Sequence, residues 1–492
     1  MTLIILGLYL ASVLAVGLLS HRLFRGTGED YFVATRSIGP FVLLMSLFGT
    51  NMTAFSILGA SGEAHRVGIG VFGLMASSTA IVAPMVFFFV GTRLWATGKR
   101  LGFLTQAQFF RARYESDLVG LLLFIVLVAL TIPYLLIGVL GGGLTLTQIT
   151  GGEVPSWVGG LVISAVVLCY VTYGGLRGTA WANTFQTLVF MTLGAVTFIY
   201  LMNQLGGLGT ALDKVAAARP DLMIRGDNVP PLKLATYVFI PLSAGMFPHL
   251  FMHWLSAKRV EAFRLPIVAY PICVAIVWIP SVMLGVLGHV DFPDLQGPAA
   301  SGVLIKMIHL HAPEILAGLL GAGVFAAVMS SLDSQVLAMG TMFTQDIVRH
   351  YSERKAGHEA MSDRQQVLAG RVFVIVLLVV TYLLSLVAKT SIFGLAVWSF
   401  TGFSALFPLV LAAIFWRRST RQGAIAAILT VVALWIYFFL DGWQTPGYTV
   451  GGTGIMPVAV IFFASATVLV IVSLATRPPS EATIRRFFPQ AG

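Results

Sequence analysis

The stretch SLFGTNMTAFSILGASG, residues 46–62, is apolar enough to continue a helix, yet it carries Gly49, Thr50, Asn51 and Thr53 in its middle. A second run behaves the same way: PLSAGMFPHLFMHW, residues 241–254, contains Gly245, Pro248 and His249. Glycine and proline loosen a helix. Non-helical backbone at membrane depth is tolerated only where it lines a cavity or is buried in protein. Along the chain these two are the second and the seventh apolar runs, and each opens a block of five. Paired discontinuous helices in two halves of a chain point to a transporter's central site. A packing kink is the alternative reading of either run taken alone.

The rest of the sequence sets these runs in a membrane. The chain has 492 residues, 57% of them hydrophobic and 10% charged, with a mean hydropathy of +0.90. Soluble domains carry about 25% charged residues. Thirteen apolar runs of spanning length are predicted, near 2–20, 38–63, 68–92, 119–149, 157–174, 181–203, 233–255, 266–289, 314–347, 369–388, 391–416, 422–440 and 455–476. The fold class read from this is all-α integral membrane, multi-pass in the cell inner (plasma) membrane. With the N-terminus outside and the C-terminus cytoplasmic, 23 of the 30 Lys and Arg residues fall inside, as the positive-inside rule requires.

The formal net charge of +10 is therefore explained by topology, without nucleic acid as a partner. The first run is read as a helix and not a signal peptide, because His21, Arg22 and Arg25 follow it and no basic residue precedes it. Cys169 and Cys273 form neither a disulfide framework nor a metal-spacing motif.

A third stretch, AAVMSSLDSQVLAMG (326–340), sets Ser330, Ser331, Asp333, Ser334 and Gln335 inside an apolar run. A carboxylate at mid-membrane costs about 2.5–3.5 kcal/mol on insertion scales. Hard cations take oxygen ligands. Adjacent serines are about 100° apart on a helix. They straddle one ion, together with the carbonyl of Ala327, if the helix is irregular and the broken run at Gly49–Met52 supplies the remaining oxygens. The alternative is that both hydroxyls bond back to helix carbonyls as packing residues.

Four stretches together resemble the sodium/solute symporter family of sodium-coupled sugar, proline, pantothenate, sialic acid and monocarboxylate carriers. They are DYFVATRSIGPFVLLMSLFGTNMTA (30–54), YVTYGGLRGTAWANTFQTLVF (170–190), GMFPHLFMHWLSAKR (245–259) and AAVMSSLDSQVLAMGTMFTQDIV (326–348). The resemblance implies a five-plus-five inverted repeat as in the bacterial leucine transporter. Residues 38–203 would form the first repeat and 233–416 the second. Residues 1–37 would precede them, an outside loop at 204–232 would join them, and two further helices with a short tail would follow at 417–492.

It also implies a main sodium site on the carbonyls of Gly49, Met52 and Ala327 and the hydroxyls of Ser330 and Ser331. One departure stands out. Many sodium-coupled members carry an aspartate in a Trp-x-Asp pattern after Tyr-Gly-Gly, and here Asn183 holds that position. A second cation, associated in the family with that aspartate and with positions one turn past the serines, would here meet Asp333 and Ser334. The alternative is a protonated Asp333 in a helix-packing hydrogen bond.

Between the two breaks, Thr53, Phe55, Ser56, Tyr134, Phe247, His249 and Trp398 are the candidate lining of a cavity for a small polar solute. For His249 a structural role is the alternative. The sequence names no solute and leaves the oligomeric state open, a monomer included. Competing readings are a proton-coupled carrier, a membrane sensor, an enzyme and a channel. A sensor of this kind expects a kinase domain after the last run, where residues 477–492 stand. An enzyme expects a nucleophile, metal or nucleotide motif, and the sequence offers none.

Overall fold

A chain this apolar has to satisfy its backbone within each segment when it is surrounded by lipid, and it does so with helices. The computed structural model describes residues 1–20, 36–227, 229–355, 362–388 and 390–489. The basic residues His21, Arg22 and Arg25, the start of the first motif (30–35) and Lys389 lie outside the described residues. Among the described residues, nine helices are long and apolar enough to cross a membrane, or ten if the bent pair Pro231–Gly245 and Pro248–Ser256 is one span. Three shorter apolar helices, Thr2–Gly17, Pro40–Asn51 and Ser156–Thr172, fall on predicted runs that do not reach that length.

Burial sorts the helices into a core and a lipid-facing shell. The helix Glu314–Met342 is buried at nearly every position from Ala317 onward, its polar residues included. The helix Ile392–Ala405 is almost as enclosed. By contrast, Arg364–Ser385 exposes Ile375, Val376, Val379 and Leu383, and Pro457–Ala475 exposes Phe463, Ile471 and Leu474. Such apolar exposure is what a lipid-facing surface requires.

Three interruptions shape the core. The helix Pro40–Asn51 stops at Met52 (φ −92°, ψ 88°), and the chain resumes as a π-helical turn, Phe55–Gly59. The second broken helix runs as a 3₁₀ segment, Ile240–Gly245, bends by 52°, and restarts at Pro248. Pro248 suits a first helical turn, where its missing N–H has no partner to lose. The long element Ser156–Gln204 turns at Gly175 (φ 55°, ψ −160°), a backbone region open to glycine, and so divides into the two predicted runs.

The two broken helices are tied at one end. Ile38 N–H donates to Ser256 O (3.0 Å), and Lys258 N–H donates to Ile38 O (3.0 Å).

Candidate ion and solute site

The break at Met52 frees carbonyls. In a continuous helix the Met52 carbonyl would accept from the N–H of Ser56; here that N–H donates to Thr53 O at 2.9 Å. The Thr53 hydroxyl accepts from Phe55 N–H (3.0 Å) and caps the restart, so its side chain serves the turn.

Facing this break is the serine helix, Glu314–Met342. The Ser330 hydroxyl lies 2.8 Å from Gly49 O and 3.0 Å from Ala327 O. Gly49 lies against Thr187, whose hydroxyl donates to Met45 O (3.0 Å). Three of the five expected sodium ligands, Gly49, Ala327 and Ser330, are thus brought together. The Ser331 hydroxyl donates to Val328 O (3.0 Å) within its own helix, so it reaches the other oxygens only after rotating about χ1. Both serines do make the back-bonds expected of packing residues, but Ser330 also crosses to another helix.

One turn further on is a second polar cluster. Asp333 is fully buried; its Oδ2 accepts from Tyr170 OH (2.7 Å) and its Oδ1 from the Ser334 hydroxyl (3.1 Å). Asn183 Nδ2 donates to Ser334 Oγ (2.7 Å), and His253 Nε2 lies 3.2 Å from the same oxygen. Asn183, Asp333 and Ser334 are therefore neighbours. None of the salt bridges among the described residues involves Asp333. The buried atoms Asn183 Oδ1 and Tyr9 OH have no hydrogen-bond partner. Sequence reasoning passed over Tyr170 and His253, although both stand inside the quoted motifs as polar residues in apolar runs.

The expected solute-lining residues do not form one wall. Phe55 and Phe247 line a small cavity between the two breaks, about 30 Å³, with Asn51, Met52, Tyr237, Trp278 and Phe400. That is room for about one water. Tyr134, Phe247 and His249 form an aromatic cluster beside it, with centroid separations of 5.2, 5.7 and 5.1 Å. Tyr134 OH, His249 Nε2 and Ser56 Oγ are buried without hydrogen-bond partners. Unsatisfied polar atoms at this depth are costly in an empty site and become useful when a polar solute occupies it.

Trp398 lies apart, packed on Phe439 (5.4 Å). It lines a much larger cavity of about 940 Å³ that opens beside Arg66, Gly297, Ser391 and Gly447. Tyr237 borders both cavities. At the far end of the serine helix the packing is closed: Asp346 accepts from the Thr105 hydroxyl (2.7 Å) and from Arg111 Nη1 (3.3 Å).

A helical membrane fold with broken helices around a buried oxygen cluster defines a secondary transporter, and the comparisons bear this out. The profile of the sodium:solute symporter family matches residues 31–430, and the chain belongs to that family. It is a membrane transporter of a small-molecule solute with sodium as its ion, and it is not an enzyme.

The osmoregulated proline transporter of Bacillus subtilis is 25% identical over 98% of this chain and 96% of its own length. The sodium/proline symporter of Escherichia coli is 26% identical over 97% and 94%. Among solved structures, a Na⁺-coupled sialic acid symporter, described in a substrate-bound outward-open state with a novel Na⁺ site, superposes with a TM-score of 0.80. It is 18% identical and covers 98% of this chain and 99% of the other, so the likeness is one of fold.

Proposed function

We propose that the chain is a sodium symporter that carries a small polar organic solute into the cell by alternating access. One observation carries this reading: the Ser330 hydroxyl meets the Gly49 carbonyl at 2.8 Å across two helices, where the broken backbone leaves oxygens without helical donors. Sodium, as cargo, is held there by the carbonyls of Gly49, Met52 and Ala327 and the hydroxyls of Ser330 and Ser331. The oxygen-only donor set suits a hard cation. The ion stitches the serine helix to the broken helix, so its arrival and departure bias which packing of the two is favoured. The solute sits between the breaks, beside Phe55, Phe247, Tyr134 and His249.

Thirteen spans, with 38–203 and 233–416 as inverted repeats, fit the position of the two broken helices at the head of each block. The N-terminus is outside and the C-terminus cytoplasmic. The large cavity then opens outward and the Thr105–Asp346–Arg111 packing closes the inside, an outward-facing state.

The thermodynamics suit such a carrier. A tenfold sodium gradient is worth about 1.4 kcal/mol, and about 100 mV adds about 2.3 kcal/mol per charge, enough for one ion to drive a neutral solute to roughly 500-fold accumulation.

A thermal-shift screen of the purified protein tests the reading, with L-proline, pantothenate, sialic acid, lactate and glucose each added in sodium and in potassium. Sodium alone is expected to raise the melting temperature, and one solute to raise it further in sodium only. A melting temperature that is the same in sodium and in potassium contradicts the reading.

A further inference from the structure

Asp346 lies in the π-helical turn Phe343–Arg349, which continues the serine helix, and beside it runs a short helix, Gln106–Tyr114. That short helix touches three parts of the core. Its N-cap, Thr105, and its Arg111 hold the Asp346 carboxylate, and Arg111 Nη2 also donates to the Asp346 carbonyl (3.0 Å). Gln106 Nε2 lies 3.5 Å from the Met246 sulfur at the second bend, and Phe109 packs on Phe251 just after it (6.4 Å). Arg113 donates to the carbonyls of Ala413 (2.9 Å) and Trp416 (2.9 Å), where the helix Phe407–Phe415 ends. Whatever holds this short helix therefore holds the serine helix and the second broken helix together at this end.

The last helix among the described residues does so. Pro478 and Pro479 follow the final spanning helix, which cannot continue through them, and Ser480 caps a new helix, Glu481–Phe487. Glu481 and Arg485 pair with each other on its exposed side (3.0 Å), while Thr483 and Phe487, also four residues apart, are buried. The Phe487 ring stacks on Phe103 (6.2 Å) and meets Phe109 edge-on (5.8 Å). The hydroxyls of Ser480 and Thr483 both donate to Glu115 Oε1. Arg100 Nη2 donates to Arg486 O (2.7 Å), and the guanidinium groups of Arg113 (5.1 Å) and Arg417 (5.9 Å) lie over the Phe488 ring.

Glu115 marks the contact as specific. It ends the short helix at φ 48°, a left-handed conformation that glycine or asparagine adopts at least cost. A glutamate gains nothing there in conformation; its carboxylate serves the tail. The Ser480 and Thr483 hydroxyls hold that carboxyl below the ordinary carboxylate range, so it stays ionised. Seven residues are too few to stay helical unaided in water, so the tail helix persists by docking and its release is a local event that leaves the spans intact.

We propose that this tail is a strap: docked, it clamps Gln106–Tyr114 and keeps the Asp346 end of the carrier shut, and undocked, it lets that end open. The inference rests on the alternating-access reading and adds a control to it, since the strap shifts the balance between closed and open packings without touching ion or solute.

The test uses the purified full chain with the exposed Cys169 removed as Cys169→Ser and with Met246→Cys as the reporter. Met246 is buried beneath Gln106, and the native Cys273, buried in Arg264–Leu287, reports general unfolding in the same molecule. Labelling by N-ethylmaleimide is followed at each position by peptide mass spectrometry. Phe487→Ala is expected to speed labelling at position 246 about tenfold and to leave Cys273 unchanged, and Phe487→Tyr should keep the slow rate. Glu115→Gln, which weakens the hydroxyl contacts, should speed position 246 by a smaller factor. Equal acceleration at both positions would reduce Phe487 to a packing residue, and an unchanged rate at position 246 in Phe487→Ala would leave the tail without a hold on this end; either result overturns the inference.

Each preparation is labelled in sodium and in potassium. Sodium is expected to slow labelling at position 246, because the assembled ion site accompanies the closed end in this structure. No effect of sodium, with the acceleration by Phe487→Ala retained, sinks the symport reading and leaves the strap standing. Slowing by sodium without a response to Phe487→Ala sinks the strap alone.

Discussion

Ser330 and Asp333 are one helical turn apart and face different problems. Ser330 is a neutral hydroxyl whose two acceptors, Gly49 O and Ala327 O, are backbone carbonyls. Asp333 is a buried carboxyl group whose described hydrogen-bond partners, Tyr170 and Ser334, carry no formal charge. An isolated charge in such a place is unstable, so the group holds a cation or takes up a proton. The orphaned Asn183 Oδ1 suits either, as a cation ligand or as the acceptor of a carboxyl O–H, and the cation reading makes the sharper prediction. Asp333→Asn is therefore expected to lower the number of sodium ions bound per protein. Asn183→Asp combined with Asp333→Ser, which rebuilds the Trp-x-Asp arrangement, should restore it. Radiolabelled sodium stoichiometry checks both. Unchanged stoichiometry with a flattened pH dependence of uptake would assign a proton instead, and no change in either would leave a packing role. At this scale the sequence was informative about residue types: oxygen-bearing side chains in an apolar run singled out Ser330, Asp333 and Ser334, and the family resemblance added Asn183. It was silent on rotamers. That Ser331 turns to Val328, and that Thr53 caps its own turn, depends on backbone dihedrals no pattern of residue types specifies.

Among the elements, the two broken helices differ in how they are interrupted. The first loses one turn of helical bonding at Met52 and resumes through a π-helical turn; the second bends by 52° between a 3₁₀ segment and a proline-started helix. Gly245 sits at the second bend, and a Cβ there would lie 2.4 Å from Cε2 of the buried Phe407 ring. Gly245→Ala is thus expected to cost about 1–3 kcal/mol of stability through overpacking. Phe407→Leu in the same chain should recover much of it, since the smaller side chain vacates the space. Thermal unfolding of the three variants checks this, and an unchanged Gly245→Ala would mean that the ring moves freely. The breaks were legible from their pairing at the head of two five-run blocks more than from Gly and Pro alone, since Asp117–Ile149 carries Pro133 and three consecutive glycines, Gly141–Gly143, without a break. The placement of Trp398 was not. It shares a helix with Phe400, but the latter faces the small cavity while Trp398 faces the large one, and helical phase relative to neighbouring helices is a tertiary property.

On the scale of the whole molecule, charge and hydropathy conveyed a multi-pass membrane protein, and paired breaks conveyed a transporter. The large cavity was hidden, because the residues that line it, Arg66, Trp398 and Gly447 among them, are far apart in the chain until the fold gathers them. A large cavity and a small one share Tyr237 as a wall, and Asp346, beyond the serine helix, is held by Thr105 and Arg111. Coupling in such a device requires sodium to favour one packing of the serine helix against the broken helix, which requires that the ion bind at their junction. The most direct test is equilibrium binding of radioactive sodium to the purified full chain, compared with Ser330→Ala and with Ser465→Ala. Ser465 donates to Ala405 O (2.8 Å) at a different helix contact and serves as the control. Saturable binding is predicted in the unaltered chain and in Ser465→Ala, with the half-saturating sodium concentration raised about tenfold in Ser330→Ala, a loss of about 1.4 kcal/mol. Ser330→Ala that binds sodium as the unaltered chain does would contradict the account.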